Sequence, residues 1–73
     1  MKKIIEFEKT IGEPEIGCQL TLVVPMNGTN KVLLTSPVKH HVVSKNEIWV
    51  ETQNTFYHHK LQEGETMEKV IIT

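Results

Sequence analysis

The stretch Cys18-Gln19-Leu20-Thr21-Leu22-Val23-Val24-Pro25-Met26-Asn27-Gly28-Thr29-Asn30-Lys31-Val32-Leu33-Leu34 carries the strongest local signal in the chain. Two runs rich in apolar residues flank Asn27-Gly28, a dipeptide that readily supplies the positive φ needed at both central positions of a type I′ hairpin turn. A two-residue loop there places Leu22 opposite Leu33, Leu20 opposite Thr35 and Val23 opposite Val32. The hairpin marks a β protein, and its register can be extended in both directions.

Gly, Pro and Asn recur at short intervals on either side and divide the chain into strand-like segments at residues 3–11, 18–24, 31–43, 48–61 and 67–72. Turns at Lys45-Asn46 and Glu63-Gly64 would set Leu33 against His58, Thr35 against Phe56, Phe56 against Ile71, and Tyr57 against Val70. Folding the first segment back through Gly12 to Gly17 adds Phe7 near Leu22 and Ile11 near Cys18. The period-two pattern then predicts a core of Ile5, Phe7, Ile11, Cys18, Leu20, Leu22, Val24, Leu33, Phe56 and Ile71. Ser36-Pro37 falls opposite Asn54-Thr55, so a bend or bulge is expected there. The predicted fold is all-β: a five-stranded antiparallel meander, strongly bent, like a small SH3-like or OB-like barrel.

Composition narrows the function classes. The 73 residues are enough for one small domain, and 38% hydrophobic with 23% charged residues is a globular balance. The chain has no Ala, Asp or Arg, while Val, Ile and Thr make up nearly a third of it, which favours strand over helix. Without Arg there is no planar fork for guanine edges or phosphates, and a net charge of −1 does not suit bulk gripping of nucleic acid. Nucleic acid is therefore the less favoured partner. Cys18 is the only cysteine, so it has no intramolecular disulfide partner, and its apolar setting predicts a buried thiol. Glu6, Glu8 and Lys9 interrupt the apolar start, and no run reaches membrane-spanning length. A cytoplasmic protein without a membrane partner is expected.

The histidines form two doublets, His40-His41 and His58-His59. Neighbours on a strand point to opposite faces, so neither doublet can offer two ligands to one ion, and no metal or other cofactor is expected. Cross-strand pairing sets His40 against Glu51 and His59 against Glu68. Trp49 shares its face with Val42, His40 and Glu51, as part of the core or as a contact residue. Ser36 and Ser44 sit in turns, and no nucleophile, base and orienting group can be assembled, so the chain reads as no enzyme.

The segments Thr35-Ser36-Pro37-Val38 and Trp49-Val50-Glu51-Thr52-Gln53-Asn54-Thr55-Phe56-Tyr57 resemble a pattern found in small bacterial and phage orphan proteins of uncharacterised function. The resemblance spans about a third of the chain. It implies a compact β module, often encoded on a mobile element and working inside a bacterial or phage-infected cell, and it supplies no catalytic residue.

The function expected is a non-catalytic binding module, such as a phage accessory or counter-defence protein, that takes a small nucleotide-like ligand or a host protein. Its candidate contacts are His40, Trp49, Glu51, Tyr57, His59, Lys39, Lys45 and Lys60. The alternatives are a small-barrel nucleic-acid or transcription-associated module and a His-assisted metal or hydrolytic site. A second apolar stripe of Val23, Val32, Leu34, Tyr57 and Val70 must find cover, which predicts a homo-oligomer with these residues at its interface.

Overall fold

The computed structural model describes residues 2–72. The strands are β1 (Lys3–Glu6), β2 (Lys9–Ile11), β3 (Thr21–Met26), β4 (Thr29–Leu34), β5 (His40–Val43), β6 (Glu47–Glu51), β7 (Thr55–Lys60) and β8 (Ile71–Ile72), with one helical turn, α1 (Met67–Val70), before β8. They form two four-stranded sheets, ordered β1-β7-β6-β5 and β4-β3-β2-β8. The all-β class holds. The five-stranded meander does not, and with eight strands in two open sheets the described residues form no closed barrel.

Two hairpins keep the expected register. Asn27 and Gly28 adopt φ of 51° and 81°, and Leu22 pairs with Leu33 and Val23 with Val32. Around Lys45-Asn46, His40 pairs with Glu51 and Val42 with Trp49. There the Ser44 hydroxyl accepts the Glu47 N–H at 3.1 Å, and the Glu47 carbonyl accepts the Ser44 N–H at 2.9 Å.

The expected long hairpin is cut at both of its weak points. Pro37 has no N–H to give a ladder, and the chain leaves β3 there. Thr35 completes that edge by pairing with Leu20, its N–H donating to the Leu20 carbonyl at 2.8 Å and its hydroxyl accepting the Leu20 N–H at 3.0 Å. Val38 then anchors through Cys18 and Gly17, and β5 begins in the other sheet. At Gln53-Asn54 the chain reverses rather than bends, closed by the Thr52 N–H on the Thr55 carbonyl at 2.9 Å. Phe56 therefore pairs with Glu51 and His58 with Trp49, in place of Thr35 and Leu33.

Both ends of the chain pair in parallel, which no tight turn announces. β1 runs beside β7, with Ile4 against Phe56 and Glu6 against His58. At Phe7 and Glu8 the backbone switches sheets: the Phe7 N–H donates to His58 and the Glu8 N–H to Val23. Thr10, not Phe7, then lies opposite Leu22. That odd offset exchanges the faces, burying Thr10 and leaving Ile11 48% exposed. The last segment starts as α1 with Thr66 at its N-cap, Glu68 in the first turn and Lys69 in the last. The helical turn abolishes the expected pairs of Phe56 with Ile71, Tyr57 with Val70 and His59 with Glu68, and β8 pairs in parallel with β2.

One core draws on both sheets: Phe7, Leu20, Leu22, Val24, Val38, Ile48, Val50, Tyr57 and Val70. Ile5 and Leu33 pack partly against it. Of the other expected core residues, Phe56 and Ile71 are half-buried and Cys18 is exposed, because it lies outside the β3 ladder. The expected interface stripe divides. Val32 and Leu34 are 70% and 60% exposed on the outer face that Val23 shares, whereas Tyr57 and Val70 are core residues and cannot form an outer surface.

Candidate ligand-binding site

Burying Ile48, Val50 and Tyr57 inside turns Glu47, Trp49, Glu51, Phe56 and His58 to the outer face of β6 and β7. Pairing with β5 and β1 aligns two rows across the sheet. One runs Val42, Trp49, His58, Glu6, and the other His40, Glu51, Phe56, Ile4. Where the rows adjoin, His40, Val42, Trp49, Glu51 and Phe56 line a cavity of about 200 Å³.

Trp49 is half-buried in this wall. Its ring centroid lies 4.3 Å from that of His58 at a 40° tilt, and 6.1 Å from Phe56 in an edge-to-face arrangement at 89°. The Lys2 ammonium sits over Phe56, 5.1 Å from the ring centroid, pairs with the Glu51 carboxylate, and donates to the Thr52 carbonyl at 3.0 Å. The Lys2 hydrogen bond holds Glu51 below its usual carboxylate range; burial opposes this, and the charges of Lys2, Lys39 and His40 add to it. Glu51 is therefore an ionised acceptor at the cavity wall, with three basic side chains around it.

His58 is held by two carboxylates. Its Nδ1 lies 2.7 Å from Glu6 Oε2 and its Nε2 2.7 Å from Glu47 Oε1. Burial pushes the imidazole down, but the bonds to Glu47 and Glu6 outweigh it and leave the group above its ordinary value. His59 faces the other way, its ring centroid 5.6 Å from that of Phe7 at a 34° tilt, with Nδ1 2.7 Å from the Phe7 carbonyl and Nε2 2.9 Å from Glu65 Oε1.

Of the candidate contacts, His40, Trp49 and Glu51 line one cavity, and Lys39 is close enough to act on Glu51. Tyr57 is corrected from contact to core, since it is 6% exposed on the inner face. His59 binds the chain to itself, and its expected partner Glu68 is replaced by Glu65. Lys45 lies in the β5–β6 turn, and Lys60 pairs with Glu47 at the far end of β7, roughly 13 Å along the strand from Phe56. Phe56 and His58 are the contributors that sequence reading missed. Reading Gln53-Asn54 as a full turn would have brought both beside Trp49. Among the described residues, no three His, Cys, Asp or Glu side chains converge as metal ligands, and no helix is long and apolar enough to cross a membrane.

Set beside known proteins, the chain matches no family model, no curated protein and no solved structure.

Proposed function

We propose that the protein is a non-catalytic binding module that receives the planar ring of a nucleotide-like ligand in the cavity beside Trp49. The observation that carries this reading is the half-buried indole in the cavity wall, flanked by the tilted His58 ring and braced edge-on by Phe56. Stacking a base on an aromatic side chain is worth about 1–3 kcal/mol. The ionised Glu51 offers an acceptor for an exocyclic amino group, and Lys39 and His40 stand beside it for phosphate. At about 200 Å³ the cavity is smaller than pockets for drug-sized molecules, so it suits the ring while the sugar and phosphate rest on the rim. Isothermal titration against nucleoside monophosphates tests this. Saturable heat with at least one member, lost in Trp49→Leu, is expected, and no heat with any member refutes it.

The same reading includes self-association through the outer face of β3 and β4, supported by the exposure of Val32 and Leu34 beside Val23. Light scattering of the wild type should give a mass above that of one chain, and Leu34→Lys should return it to one. A wild-type monomer at every concentration removes this part.

A further inference from the structure

His58 does not line the cavity, yet its side chain is only 14% exposed and everything around it is specific. From β1 it faces Glu6, from β6 it faces Glu47 and Trp49, and Lys60 is the next residue on its own face of β7. A carboxylate only accepts, so both contacts are hydrogen bonds only when both ring nitrogens carry protons. The two acceptors come from the strands on either side of β7, which fixes the ring from both flanks. That ring lies against the indole that walls the cavity, 4.3 Å between centroids at a 40° tilt.

We infer that His58 is the positioning residue of the cavity: clamped by Glu6 and Glu47, it sets the plane of Trp49 without touching the ligand, and ligand affinity follows its protonation. The dependence of affinity on that proton rests on the nucleotide reading, whereas the positioning is a property of the free protein. When the ring loses a proton, one carboxylate faces a nitrogen lone pair, the clamp opens on that side, and the cation–π attraction to the indole is lost. Burial of His58 favours release of the proton, and the two carboxylates oppose it with the larger combined effect.

Trp49 is the only tryptophan, so the emission of the free protein reports this indole alone. Titrated from about pH 5 to 9, the wild type should show a transition above pH 6.5, the ordinary imidazole value. The transition should vanish in His58→Gln, move to lower pH in Glu6→Gln and in Glu47→Gln, and persist in His40→Gln. A flat wild-type profile, or a transition that survives His58→Gln, overturns the inference. Imidazole ¹⁵N resonances of the wild type give a test that requires no variant to fold: His58 should carry two protons at pH 6.5, and a single neutral tautomer there refutes the clamp. Adenosine has no group that titrates in this range, and its affinity should fall several-fold across the indole transition. Affinity constant across that transition overturns the link between proton and ligand. No binding of adenosine or of any nucleoside monophosphate at any pH, with the indole transition intact, upholds the positioning and counts against the nucleotide reading alone.

Discussion

The His59 Nδ1 atom lies 2.7 Å from the carbonyl oxygen of Phe7, at the point where the first strand segment leaves one sheet for the other. Since a carbonyl only accepts, the imidazole is the donor, and its other nitrogen faces Glu65, which also accepts the Gln62 N–H at 2.9 Å. One side chain thus joins the sheet switch to the turn that precedes α1. His59→Ala should lower unfolding free energy by about 1–3 kcal/mol, through the orphaned carbonyl and the lost packing on Phe7. Urea denaturation measures this, and an unchanged midpoint would show that the junction is held by other contacts.

The β2–β3 register predicts unequal costs for two apolar truncations. Leu22 is fully buried opposite Thr10, whereas Ile11 is 48% exposed opposite Thr21. Leu22→Ala should cost about 2–5 kcal/mol and leave much of so small a domain unfolded. Ile11→Ala should stay within about 0.5 kcal/mol in the monomer. Comparable losses would place Ile11 in the core and return the register to the one in which Phe7 faces Leu22.

That offset shows why the sequence is legible in some parts and not in others. Hairpins closed by two residues are local: Asn27-Gly28 and Lys45-Asn46 determine which residues oppose one another, and the row of Val42 and Trp49 beside His40 and Glu51 follows. The parallel pairings of β1 with β7 and β2 with β8 join residues far apart in the chain, with no turn chemistry between them to count from. Two other features did leave local signals. Thr66, Glu68 and Lys69 mark a short helical turn at the start of the 67–72 segment, and Thr52-Gln53-Asn54-Thr55 marks a reversal within the 48–61 segment, but the β-rich composition of both segments favours an unbroken strand. Four of the five residues that line the cavity are therefore within reach of the sequence, while Phe56, and His58 beside the indole, depend on the reversal at Gln53-Asn54.

Gly28 has φ of 81°, and Asn27 before it has 51°. A Cβ at Gly28 meets no neighbour, so Gly28→Ala isolates the backbone cost of the left-handed conformation. The loss should be about 1–2 kcal/mol, read as a lower thermal midpoint with native spectra retained. No loss would mean that the turn relaxes to another type.

Stability should peak in a mildly acidic window. His58 titrates above 6.5 in the folded chain, so its contribution is complete below about pH 6.5 and fades as pH rises through the folded value. Glu51, held down by Lys2, and Glu65, held down by the Gln62 N–H and then His59, act in the opposite sense. Their contributions are complete above about pH 4.5 and are lost as pH falls through the lowered values. Thermal midpoints across pH should therefore decline on both sides, with Glu51→Gln flattening the acid limb and His58→Gln the alkaline one. A wild-type midpoint that rises steadily to pH 9 contradicts the clamp.

Recognition of a planar ligand by the outer face of β5, β6 and β7, as proposed, is tested most directly by the amide and indole chemical shifts of the ¹⁵N-labelled protein. Titration with nucleoside monophosphates should produce saturable shifts that converge on Val42, Trp49 with its indole N–H, Glu51 and Phe56. Shifts confined to another surface, or no shift with any member at millimolar concentration, would contradict it.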